Sequence, residues 1–138
     1  MKALIDKLRE GRHSLVVSDC LKQIHTFDGR GVSDLYRLLN EKPLLLKGAK
    51  VADKVVGKGA AALMVAAGVE EVYAEVISYP ALQLLENAGL LVKYTTLVPN
   101  IINRSGTGIC PLEALCMNCQ TTEDCLSELK RFIEQQKK

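Results

Sequence analysis

Between Leu44 and Thr96 the chain alternates short β-prone apolar runs with longer stretches at helical spacing, and glycines close the helical stretches. Residues 44–46 read as a short strand, about 52–67 as a helix stopped by Gly68, 72–77 as a buried strand, 80–88 as a helix closed at Gly89, and 90–96 as a further strand. Pro80 suits the first turn of the second helix, where its missing N–H costs nothing. Strands joined through helices by short links form βαβ units, so this half of the chain builds a largely parallel sheet with helices on its faces.

The flanking segments extend that sheet. Residues 1–10 place Leu4, Ile5 and Leu8 on one face of a short helix ending at Gly11. The runs 14–18 and 23–27 read as a hairpin around the polar turn 19–22, and Ser33 or Asp34 caps a helix carrying Leu35, Tyr36, Leu38 and Leu39 that stops before Pro43. Residues 98–108 are rich in Asn, Gly and Ser and read as a loop. A last helix spans about 123–136, capped by Thr121 or Thr122, with Leu126, Leu129, Phe132 and Ile133 as its buried stripe. The expectation is one α/β domain over residues 1–138, a three-layer αβα sandwich with a mixed sheet.

Composition narrows the function classes. A net charge of +2 with 4% aromatic residues supplies neither the basic stripe nor the stacking platform of a nucleic-acid binder. The longest apolar stretch, 59–69, is too short to span a bilayer and lacks signal-peptide flanks, so the expected compartment is the cytoplasm and no membrane partner is expected. Five cysteines in such a chain favour thiols or metal ligands over disulfides. Cys110, Cys116, Cys119 and Cys125 are spaced C-x5-C-x2-C-x5-C, and four thiolates suffice for tetrahedral zinc or an iron–sulfur cluster; a redox dithiol or unligated thiols are the alternatives.

The polar residues at the two helix entrances are the other candidates. Asp53 is either the N-cap of the first helix or a base that orients a ligand. Lys54 and Lys58, four residues apart, share a helix face in this reading; cations at the positive end of the helix dipole point to an anionic ligand such as phosphate. Ser78 either caps the second helix or acts as a nucleophile, and a nucleophile needs a base that His13 and His25, both near the hairpin, show no sequence link to supply. Arg30, in a Gly-rich turn, is a weaker anion-binding candidate.

The order of elements resembles the cytidine deaminase-like fold. The junction Val72-Tyr73-Ala74-Glu75-Val76-Ile77-Ser78-Tyr79-Pro80-Ala81, followed by Glu86-Asn87-Ala88-Gly89-Leu90, looks like the deaminase strand, its Pro-Cys-x-x-Cys turn and the downstream Asn-Ala-Gly. More specifically, Asp53-Lys54-Val55-Val56-Gly57-Lys58, Asn103-Arg104-Ser105-Gly106-Thr107 and Cys110-Pro111-Leu112-Glu113 resemble the small bacterial and archaeal family known as domain of unknown function 1893. That resemblance covers nearly the whole chain and implies a deaminase-like fold with no settled activity. Zinc deaminases need His or Cys plus two Cys on the metal and a Glu that shuttles protons; here the corresponding places look filled by Asp53 or its neighbours, Ser78 and Ala81, so no zinc is expected at the deaminase position.

These readings converge on a zinc-independent protein or enzyme that binds a small, phosphate- or nucleotide-containing molecule through Asp53, Lys54, Lys58, Ser78, Cys110 and Glu113. In the enzyme version Asp53 or Glu113 moves protons and Lys54 or Lys58 neutralises developing negative charge. The alternatives are a metal-binding or redox accessory module built on the cysteine cluster, and a non-catalytic interaction domain that assembles into a homo-oligomer.

Overall fold

The computed structural model describes residues 2–11, 13–28, 33–99 and 122–136. Five strands form one mixed sheet in the order β2-β1-β3-β4-β5, with β1 at Leu15–Ser18, β2 at Ile24–Phe27, β3 at Lys50–Val56, β4 at Glu71–Ser78 and β5 at Leu91–Val98. The hairpin β1–β2 is antiparallel, β1 is antiparallel to β3, and β3, β4 and β5 run parallel. The helices are α1 (Lys2–Glu10), α2 (Ser33–Glu41), α3 (Pro43–Leu46), α4 (Lys58–Ala67), α5 (Tyr79–Asn87) and α6 (Thr122–Gln136). None of those described is long and apolar enough to cross a membrane.

Side chains alternate along each strand and so feed two cores. Val16, Ala52 and Tyr73 pack with Leu4 and Leu8 of α1 on one face. Their neighbours Leu15, Val17, Val51, Val72 and Ala74 pack on the other face with Leu35 and Leu38 of α2, Leu63 and Met64 of α4, Leu85 of α5, and Cys125 and Leu129 of α6. The expected α/β architecture with helices on both faces of a mixed sheet is therefore present.

Two expected elements are corrected. The helix read over 52–67 is a strand followed by a helix: β3 ends at Val56, Gly57 is the N-cap, and α4 begins only at Lys58. Ala60, Ala61 and Ala62 are all buried in α4. A helix walled in on nearly every side is apolar all round, so its sequence merges without a break of pattern into the buried strand before it. The strand read over 44–46 is the single helical turn α3, which opens at Pro43, a residue whose fixed φ matches the start of a helix.

The end of the sheet where β3 begins is closed by tight turns bonded to one another. Gly48 N–H donates to Gly68 O at 2.8 Å, Glu70 N–H to Ala49 O at 2.9 Å, and Leu91 N–H to Glu70 O at 3.3 Å. Gly68 ends α4 with φ 79°. A Cβ there would meet nothing nearer than Lys47 Cγ at 3.6 Å, so the cost of Gly68→Ala is that of the left-handed backbone alone. The expected loss is about 1–2 kcal/mol, read as a lower midpoint in urea; an unchanged midpoint would contradict it.

Candidate functional site

The opposite end of the sheet gathers the polar residues. In the parallel pair Val56 lies beside Ile77, so the strands finish level and the next residues, Gly57 and Ser78, become the N-caps of α4 and α5. Ser78 is fully buried and its Oγ accepts the N–H of Ala81 at 3.3 Å, the capping role expected of it. Gly57 has no side chain to do the same for α4, whose first-turn N–H groups are left without a side-chain acceptor from the cap. Lys58 stands half-buried as the first residue of that helix.

Because β1 is antiparallel to β3, the hairpin starts and finishes at this same end. Leu15 pairs with both Asp53 and Phe27, and Lys54 N–H donates to Ser14 O at 3.2 Å. Just outside the hairpin, His13 Nδ1 and Asp28 Oδ1 are 2.8 Å apart, and α2 begins with Asp34 in its first turn. The His13 ring lies against Gly11, where an added Cβ would come within 2.5 Å of Cδ2 and Nε2, so this hydrogen bond also ties the chain just past α1 to the end of β2.

Among the described residues, Asp53 is the carboxyl that burial perturbs most. It sits within β3 and caps no helix, which corrects the first of its two expected roles; the cause is that the helix starts at Lys58, about six residues later than its apolar pattern suggests. Only 8% of its surface is exposed, Val55 N–H donates to Oδ1 across a long 3.4 Å, and Asp34 is close enough to repel its charge. Burial pushes its pKa from the ordinary 3.8 up to about 7, against the pull of the Val55 and Lys54 N–H groups. A carboxyl in that state exchanges a proton near neutral pH, which is what acid–base chemistry requires of it.

Lys54 is exposed and follows Asp53 in an extended strand, so its side chain leaves from the opposite face. The expected helix face shared by Lys54 and Lys58 is thereby corrected: one is on β3, the other opens α4. Cys110, Glu113, Cys116, Cys119 and Arg30 lie outside the described residues. Cys125 is buried on α6 within the larger apolar core beside Leu129. Among the described residues no three His, Cys, Asp or Glu side chains are grouped to hold a metal ion. The helix entrances Gly57-Lys58-Gly59 and Ser78-Tyr79-Pro80-Ala81 offer neither thiol nor imidazole, so these residues do not fit a deaminase zinc.

The sequence offers His13 only as a base for Ser78 and Asp34 only as a helix cap; it brings neither His13 to Asp28 nor Asp34 to Asp53. Their approach depends on which end of the sheet the hairpin opens onto, and no local pattern carries that. The signal for Asp53 is an acid inside a β-prone run, and the apolar continuity of that run with α4 conceals it.

Residues 3–133 match the model of a family described as a domain of unknown function (DUF1893). The structure is similar to the crystal structure of a DUF1893 family protein (TM1506) from Thermotoga maritima, with a TM-score of 0.85 and 25% sequence identity, over 94% of this chain and 87% of that one. No curated protein matches.

Proposed function

The chain belongs to the DUF1893 family, and from that premise we propose that it is a zinc-independent, deaminase-fold protein that seats a small phosphate-bearing molecule, such as a nucleotide, at the end of β3 and β4. The observation that carries this reading is the level finish of the two parallel strands, which sets the N-termini of α4 and α5 side by side. Aligned peptide dipoles make each such terminus partly positive, and Lys58 adds a full charge in the first turn of α4. Open α/β sheets take their ligands at the carboxyl ends of their strands, which agrees with this position. The junction from β4 into α5, where a deaminase carries its Pro-Cys-x-x-Cys turn, holds Ser78, Tyr79, Pro80 and Ala81 instead. That departure keeps the fold's ligand-binding end in the reading while removing metal hydrolysis from it.

In this reading Lys58 and the α4 N–H groups hold the anion, and Asp53 is the proton-exchanging group beneath. Ser78 stays a structural cap, because its oxygen is engaged with Ala81. The test is thermal unfolding with inorganic phosphate, ribose 5-phosphate or adenosine monophosphate. At a concentration about a hundred times its Kd, a bound probe adds about 2.7 kcal/mol, which for a chain of this size is a rise of roughly 5–10 °C. Lys58→Glu is expected to abolish the rise and Lys54→Glu to leave it. No rise with any of the three probes, or an equal rise in Lys58→Glu, would overturn the proposal.

A further inference from the structure

At the β2 edge of the sheet, away from the ends of β3 and β4, the molecule has an open groove of about 420 Å³ whose walls are an outer strand and a helix. One wall is β2, with His25, Thr26 and Phe27; the other is Arg37, Leu38 and Glu41 of α2, with Lys42 and Leu45 at one end. Asp19 N–H donates to Gln23 O and Ser14 N–H to Phe27 O, both at 3.0 Å, so residues 23 and 27 turn their backbone groups inward to β1. Antiparallel pairing alternates, which leaves the N–H and C=O of Ile24 and Thr26 directed away from the sheet.

This edge is braced on both sides of the strand. The carboxylate of Asp19 accepts the N–H groups of Leu21 and Gln23, each at 2.9 Å, and reaches His25 Nε2 at 3.0 Å. At the far end Ser14 Oγ donates to Phe27 O at 3.0 Å. A strand fixed in this way loses little freedom when something pairs with it.

The groove is also marked chemically. Leu38, Leu45 and the half-buried Phe27 give it an apolar wall. The Arg37 guanidinium lies 5.9 Å from the centre of the Phe27 ring and bonds Asp34 through one nitrogen at 3.2 Å, which leaves further N–H groups to donate. Lys42 has no ion-pair partner among the described residues.

We infer that this groove takes an extended peptide, added to β2 as a sixth strand, with an apolar side chain on Leu38 and Leu45 and a carboxylate two residues on, held by Arg37 and Lys42. Backbone bonds to Ile24 and Thr26 supply the pairing, and the alternate side chains facing α2 supply the selectivity. This surface is independent of the phosphate site, and neither reading requires the other.

The experiment is an amide NMR titration of the full chain with a capped heptapeptide in which threonines alternate with valine, aspartate and valine. The expected result is a shift of the Ile24, Thr26, Arg37 and Leu38 signals, with binding at least about tenfold weaker for the same peptide carrying lysine in place of aspartate. Thr26→Pro, which removes one outward N–H, and Lys42→Glu, a surface change, are each expected to weaken binding while the remaining spectrum stays folded. The inference is overturned if excess peptide leaves the β2 signals in place, or if the aspartate and lysine peptides bind equally. It is overturned too if the β2 signals move with protein concentration alone, which would give the edge to a second copy of the chain.

Discussion

Wild-type protein is expected to lose roughly 4 kcal/mol of stability as pH rises from 4 to 8, and Asp53→Asn is expected to lose little of it. The folded chain holds the Asp53 proton up to about pH 7, whereas an ordinary aspartate releases it near 3.8. Between those values the folded state binds more protons than the unfolded one, so stability falls with rising pH and levels off above the folded pKa. The direction is opposite to that of Asp19, which His25 and the Gln23 N–H hold below the ordinary value and whose contribution is lost only as pH falls below it. The two effects therefore occupy separate windows. Urea unfolding of both proteins at a series of pH values measures the difference, and parallel curves would show that Asp53 ionises as an exposed carboxyl does.

Leu129→Ala is expected to cost about 2–5 kcal/mol, the range for emptying a buried leucine site that collapses incompletely. Leu129 is fully buried on α6 and lies over the first turn of α4, where its Cδ2 would be 3.0 Å from a Cβ added to Gly59. That glycine lets α6 cross close to the helix entrance assigned to the anion. A cavity here should loosen α4 where it begins, so the variant is also expected to lose part of the phosphate-induced thermal shift. Lower stability with an undiminished shift would separate α6 from the site.

The sequence was most legible where one pattern met one environment. The β1–β2 hairpin, with its polar turn at residues 19–22, was readable from alternation and turn chemistry. The α5 entrance was readable because Ser78 and Pro80 are chemically specific signs of a helix start. The Lys50–Val56 strand was not. Its buried residues run on into the alanines of α4 without a break of apolar pattern, and only Gly57 marks the boundary between them. The site inherits this difference: of the two roles open to Ser78 the structure shows the cap, whereas Asp53 stands on a strand where the pattern predicts a helix. The hydrogen bond between His13 and Asp28 and the repulsion between Asp34 and Asp53 are products of tertiary packing alone. Expectations for Cys110, Glu113, Cys116 and Cys119 concern residues outside those described, and Cys125 packs in the core.

The interlocked turns around Gly48, Gly68 and Glu70 have a practical consequence for engineering. Each of these connections is short and uses its backbone groups to hold another, so extra residues inserted there would uncouple several strands at once. Fluorescent reporters of global unfolding therefore belong at the end that carries Gly68.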